Sequence, residues 1–70
     1  MAEIGSDTPL EKAWKIAIAR ETAAHAFYVQ ASEVIKDTAL KNLFTFLAGE
    51  EKRHMTLLQD EYEKAFTPDN

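Results

Sequence analysis

Glu51 and His54 stand three residues apart in "GEEKRHM", inside a stretch whose spacing otherwise calls for leucine. On an α-helix that spacing sets the two side chains about 60° and about 4.5 Å of rise apart, on one face. A carboxylate oxygen and an imidazole nitrogen then converge on one point, a donor pair that suits iron, manganese or zinc. A second acidic interruption lies upstream, at Glu21 in "IARETAAHAFY", flanked on its stripe by Ile18, Ala24 and Tyr28. Glu-x-x-His alone is a weak signal, because a charged run on a helix is usually plain solvated surface. The elements that carry these residues decide whether they meet.

The segment "TPLE" reads as a helix start. Thr8 can cap, Pro9 suits the first helical position, and Glu11 completes a capping box. After Pro9 no Gly or Pro follows until Gly49, and alanine is frequent between Ala13 and Ala31. One long helix is therefore expected over about 9–36. The break falls at about Asp37, where Asp37 or Thr38 can cap the next helix and Lys36 complements the dipole of the first. A second helix runs over about 38–66, with Gly49 inside it at about 1 kcal/mol relative to alanine. Thr67-Pro68 ends it. No strand signal appears, so the expected class is all-α: one domain over 1–70, an antiparallel two-helix hairpin.

Each helix carries a legible face. Leu10, Trp14, Ala17, Glu21, Ala24, Tyr28, Ala31 and Ile35 recur at three- and four-residue steps, as do Leu40, Phe44, Leu47, Glu51, His54, Leu58 and Tyr62. Ile16, Phe27, Val34, Leu43, Phe46, Met55 and Leu57 fall beside or beyond these stripes. Two helices of about 28 residues make an object about 42 Å long and two helices thick. That object leaves one apolar side uncovered. A second copy covers it, which predicts a homodimer, or a higher homo-oligomer, built as a four-helix bundle.

Folding the chain at Asp37 gives the charged residues a common height. Glu21 lies 16 residues before the turn, Glu51 lies 14 after it and His54 lies 17 after it. All three then sit about 24 Å from the turn, near the middle of each helix. A two-fold axis at mid-height would gather four glutamates and two histidines in one core. So many buried carboxylates need protons or cations. Two divalent ions held by bridging carboxylates about 3.5–4 Å apart would answer that need. Glu50, a helical step away from Glu51, is expected in water.

Composition narrows the rest. The chain has 70 residues and no cysteine, which removes disulfides and thiolate metal sites. So short a chain usually needs a metal or a partner to hold its core. The net charge of −4 argues against nucleic acid and is mildly favourable to a cation. No apolar run approaches the roughly 20 residues of a membrane span, so no membrane partner is expected. "MAEIGSDTPLEKAW" lacks the basic and apolar parts of a signal peptide. These features fit a cytoplasmic protein, and the Met1 start favours a complete short chain.

The signature E-x-x-A-x-x-F-Y followed by D-x-x-L-K-x-L-F-x-x-L-A-x-E-E-x-x-H, spanning about Glu21 to His54, resembles the rubrerythrin branch of the ferritin-like superfamily. Combined, the two motifs are far more specific than either part. In that superfamily one glutamate from each of two helices joins a Glu-x-x-His from each of two others around two metals. The resemblance implies a ferritin-like bundle with two iron ions per dimer, manganese or zinc also fitting, held by Glu21, Glu51 and His54 of each chain. Glu51 is the favoured bridge. A rubrerythrin-like domain usually has two hairpins; this chain has one, like the short subunits of encapsulated ferritins. An encapsulin shell is a candidate partner on that likeness, although no targeting tail is seen. The implied activity is ferroxidase-type oxidation of Fe(II) by O₂ or peroxide. The alternatives are a peroxide reductase fed by an external electron donor and a non-catalytic metal-binding assembly module. Tyr28, two turns beyond Glu21, is read as core, as a hydrogen-bond partner of a ligand carboxylate, or as a redox-active phenol. His25, one turn beyond Glu21, is read as an extra ligand, a proton shuttle or a rim residue, and Trp14 as core, the alternative being that it protects the site by passing electrons.

Overall fold

A computed structural model describes residues 4–66 and shows two helices, α1 (Leu10–Val34) and α2 (Thr38–Phe66), with no strand among the described residues. The start of α1 differs from the expected capping box. Pro9 is extended, with ψ at 142°, and caps the helix through its carbonyl, which accepts the Ala13 N–H at 3.0 Å. That conformation leaves Thr8 one residue too early to cap. Its hydroxyl instead accepts the Gly5 N–H at 2.8 Å and its own N–H donates to the Gly5 carbonyl at 3.1 Å. Glu11, released from the capping role, reaches across to α2.

The turn is built as two abutting caps. Ile35 is extended (φ −79°, ψ 134°), so α1 closes at Val34, ahead of the Lys36 read from the sequence, with the Ile35 N–H on the Ala31 carbonyl. Asp37 caps α2: its Oδ1 accepts the Leu40 N–H at 3.2 Å. The basic partner for the last turn of α1 is not Lys36 but Lys41, whose ammonium donates to the Ser32 carbonyl. No described residue has a positive φ, so the reversal needs no glycine.

Small residues set the helix spacing. Ala31 and Ala48, each 8% exposed, are the only buried residues among those described, and their small side chains suit a close approach of the two backbones. Around them, larger side chains are half-buried. Phe44 lies 5.9 Å from Tyr28 and 6.3 Å from Phe27 between ring centroids, while Phe66 lies 5.7 Å from Trp14 and 5.0 Å from Tyr62. Two polar ties close the open end of the hairpin. Trp14 donates its indole N–H to the Leu58 carbonyl at 3.1 Å, and Tyr62 donates its hydroxyl to Glu11 at 2.8 Å.

The hairpin is a slab, with a shortest extent of 12 Å. A single pair of helices cannot enclose a core, since each needs a second layer over its apolar stripe. Phe27, Val34, Leu43, Phe46 and Leu57 accordingly stay between 49% and 67% exposed. Leu10 and Leu40, on the main stripes but at helix starts, are exposed as well, whereas Ile16 and Met55 are half-buried.

Candidate metal centre

Glu21 stands in the middle of α1, and Glu51 and His54 share one face of α2. The antiparallel pairing sets them at one height, and the structure brings all three together. One ligand atom from each lies within 4.8 Å of the others, the one such grouping among the described residues. His54 Nδ1 is 3.3 Å from Glu21 Oε1 and 3.6 Å from Glu51 Oε1. Exposure falls in a useful order: the side chains are 53% exposed for His54, 30% for Glu21 and 17% for Glu51. The imidazole therefore sits at the rim and Glu51 at the floor.

Glu51 is the strained member electrostatically. Its Oε1 is buried with no hydrogen-bond donor, the one such side-chain atom among the described residues. Two carboxylates have no hydrogen to share, so contact with Glu21 becomes favourable only when a proton lies between them. That potential hydrogen bond is the main reason the Glu51 carboxyl is held above the usual carboxylate range. Burial and the Glu21 charge push the same way, and His54 opposes them. A cation would replace the shared proton. Two carboxylates and one imidazole, with an orphaned oxygen among them, are donors that fit iron, manganese or zinc.

The other residues singled out from the sequence stand apart. His25 is half-buried on α1 and is not in the grouping. Tyr28 packs its ring against Phe44 and Phe27. Among the described residues no hydrogen bond joins its hydroxyl to Glu21, Glu51 or His54. Glu50, expected in water, is instead half-buried and its carboxylate pairs with Arg53. It lies on the row Leu43, Leu47, Glu50, His54 and Leu57, whose three- and four-residue steps run along the side of α2 from which His54 emerges. The Glu11–Tyr62 tie was missed, yet counting from the turn reveals it: Glu11 lies 26 residues before Asp37 and Tyr62 lies 25 after.

Fold and site together define a class: an all-α hairpin with a carboxylate and imidazole group at mid-length. A rubrerythrin family model matches residues 2–67, and the chain belongs to the rubrerythrin family. Proteins of that family typically bind iron. Neither the curated proteins nor the solved structures gave a significant match. No helix among the described residues is long and apolar enough to cross a membrane.

Proposed function

We propose that this chain oxidises Fe(II) with O₂ or peroxide at a site shared by two copies, each contributing Glu21, Glu51 and His54. The observation that carries this reading is the buried, donorless Oε1 of Glu51 within 4.8 Å of ligand atoms of Glu21 and His54. An uncompensated carboxylate of that kind is costly unless a proton or a cation neutralises it. Iron, when bound, supplies the one-electron couple that O₂ or peroxide draws on.

The chain's own residues do the rest. Glu51 would hold the metal through an oxygen that has no other partner, and a proton held between it and Glu21 would leave as the metal bound. Anionic oxygen donors favour the ferric state over the ferrous. His54 would add an imidazole nitrogen at the exposed rim, on the side from which an oxidant would approach.

Three donors per chain are few for a two-metal site, and the uncovered face supplies the reason for a partner. Leu43, Leu57 and His54 emerge on one side of α2, and Phe27 and Val34 flank that side from α1. Exposed apolar side chains rimmed by polar ones mark association surfaces. A second hairpin there would double the ligand set to four glutamates and two histidines and complete a four-helix bundle.

Anaerobic Fe(II) titration followed by O₂ tests the reading. The expected result is a charge-transfer absorption that saturates at two irons per dimer. An intact dimer that binds metal without oxidising iron would instead identify a non-catalytic assembly module. Oxidation by peroxide that turns over only with an added reductant would identify a peroxide reductase.

A further inference from the structure

The open end of the hairpin holds an arrangement that metal binding does not use. Tyr62 and Trp14 both pack on Phe66, at centroid separations of 5.0 and 5.7 Å. The Trp14 indole N–H is held on the Leu58 carbonyl at 3.1 Å. The Tyr62 hydroxyl donates to Glu11 Oε2 at 2.8 Å, and the Lys15 ammonium lies 3.5 Å from that same oxygen. The chain has one tryptophan and two tyrosines. Tyr62 has a carboxylate waiting on its hydroxyl, whereas Tyr28 has none among the described residues. Trp14 is seven residues before Glu21 on the same stripe, about 10.5 Å of rise away, within the reach of electron tunnelling through protein.

We propose that Trp14 and Tyr62 form a one-electron relay from the Glu21/Glu51/His54 group to the open end of the hairpin, with Glu11 as proton acceptor. The relay rests on the proposed function for its oxidant, a one-electron oxidant formed where reduced iron meets O₂ or peroxide. Trp14 gives that oxidant one electron and becomes an indole radical cation. Tyr62 gives one electron to Trp14 and restores the indole. In that step the Tyr62 O–H bond breaks and the proton forms an O–H bond on Glu11 Oε2. The products are a neutral phenoxyl radical and a neutral carboxylic acid. A small external reductant of the thiol or ascorbate class then returns one electron to Tyr62, and the proton comes back from Glu11.

The resting state suits this sequence. The hydrogen bond to Tyr62, with help from Lys15, holds the Glu11 carboxyl below the usual range, and Glu11 in turn holds the Tyr62 phenol above its ordinary value. The proton therefore starts on Tyr62 with an ionised acceptor beside it. The relay carries stray oxidising equivalents away from the carboxylate ligands and the aromatic cluster around Phe44.

Flash photolysis of the metal-free full chain with dissolved ruthenium tris-bipyridine and persulfate, which takes an electron from the excited complex and leaves Ru(III) as the oxidant, tests the relay without iron. An indole radical should form and decay as a phenoxyl radical grows in. Tyr28→Phe should leave that conversion intact. Tyr62→Phe should leave a long-lived indole radical and no phenoxyl. Glu11→Gln should slow the conversion and remove its sensitivity to solvent deuterium. The relay is overturned if phenoxyl forms equally well in Tyr62→Phe, or if Glu11→Gln converts at the unaltered rate. Because no metal is present, failure here leaves the metal-site reading standing, and failure to bind iron would leave a positive result here intact.

Discussion

His54 Nδ1 on α2 lies 3.3 Å from Glu21 Oε1 on α1, across 33 residues of chain. The contact joins the midpoints of two antiparallel helices and puts an exposed imidazole over a half-buried carboxylate pair. If the three side chains act as one ligand set, each should matter alone. Glu21→Ala, Glu51→Ala and His54→Ala should each weaken Fe(II) or Co(II) binding by at least about tenfold, the scale on which even outer partners of metal ligands act. Anaerobic calorimetric titration measures it.

The raised carboxyl of Glu51 predicts a pH dependence of the metal-free chain. A carboxyl whose folded pKa exceeds its unfolded one takes up a proton on folding. Its contribution to stability is complete below the unfolded value and is lost as pH rises through the folded one. Thermal unfolding in chelator should therefore show stability falling from the ordinary carboxylate range upward through the raised pKa. Glu51→Gln should flatten that fall. Metal affinity should run the opposite way, rising with pH over the same window as the shared proton becomes easier to displace.

Gly49 lies in the middle of α2, and a Cβ built there meets nothing within 4 Å. Nothing within the chain requires a glycine. Gly49→Ala should raise stability by about 0.5–1 kcal/mol, the ordinary difference in a helix interior. Denaturant unfolding checks it, and a loss of stability or of assembly would show that a neighbouring chain packs closely on this position.

Much of this was legible because helix periodicity and turn counting are both local arithmetic. Glu21, Glu51 and His54 could be set at one height from the position of Asp37 alone, and the rubrerythrin resemblance agrees with the family match. What the sequence hid was side-chain reach. Thr8 was a plausible cap until the extended Pro9 shifted the frame by one residue. Glu11 was then free for Tyr62, a contact 51 residues away in sequence. Lys41 rather than Lys36 found the end of α1 because its long side chain spans the turn. Glu50 was placed in water by its angle to Glu51, yet it lies on the row beside His54, where Arg53 folds over it.

The uncovered face predicts association. Leu57 is 60% exposed in the single hairpin, so Leu57→Glu should change the stability of an isolated chain by no more than about 0.5 kcal/mol. In a dimer it would bury a charge against apolar neighbours. Sedimentation equilibrium should give a dimer or larger for the native chain and a monomer for Leu57→Glu. If the site is shared between two copies as proposed, the variant should also fail to bind iron.

The most direct test of the central claim is an anomalous difference map at the iron edge from crystals grown with Fe(II). Two peaks about 3.5–4 Å apart, as in other two-metal sites, should lie between paired hairpins. Each should be within bonding distance of Glu21, Glu51 and His54 side chains, with Glu51 spanning both. A map whose iron peaks lie elsewhere, or that shows these three side chains free of metal while iron is bound at another place, would contradict the account.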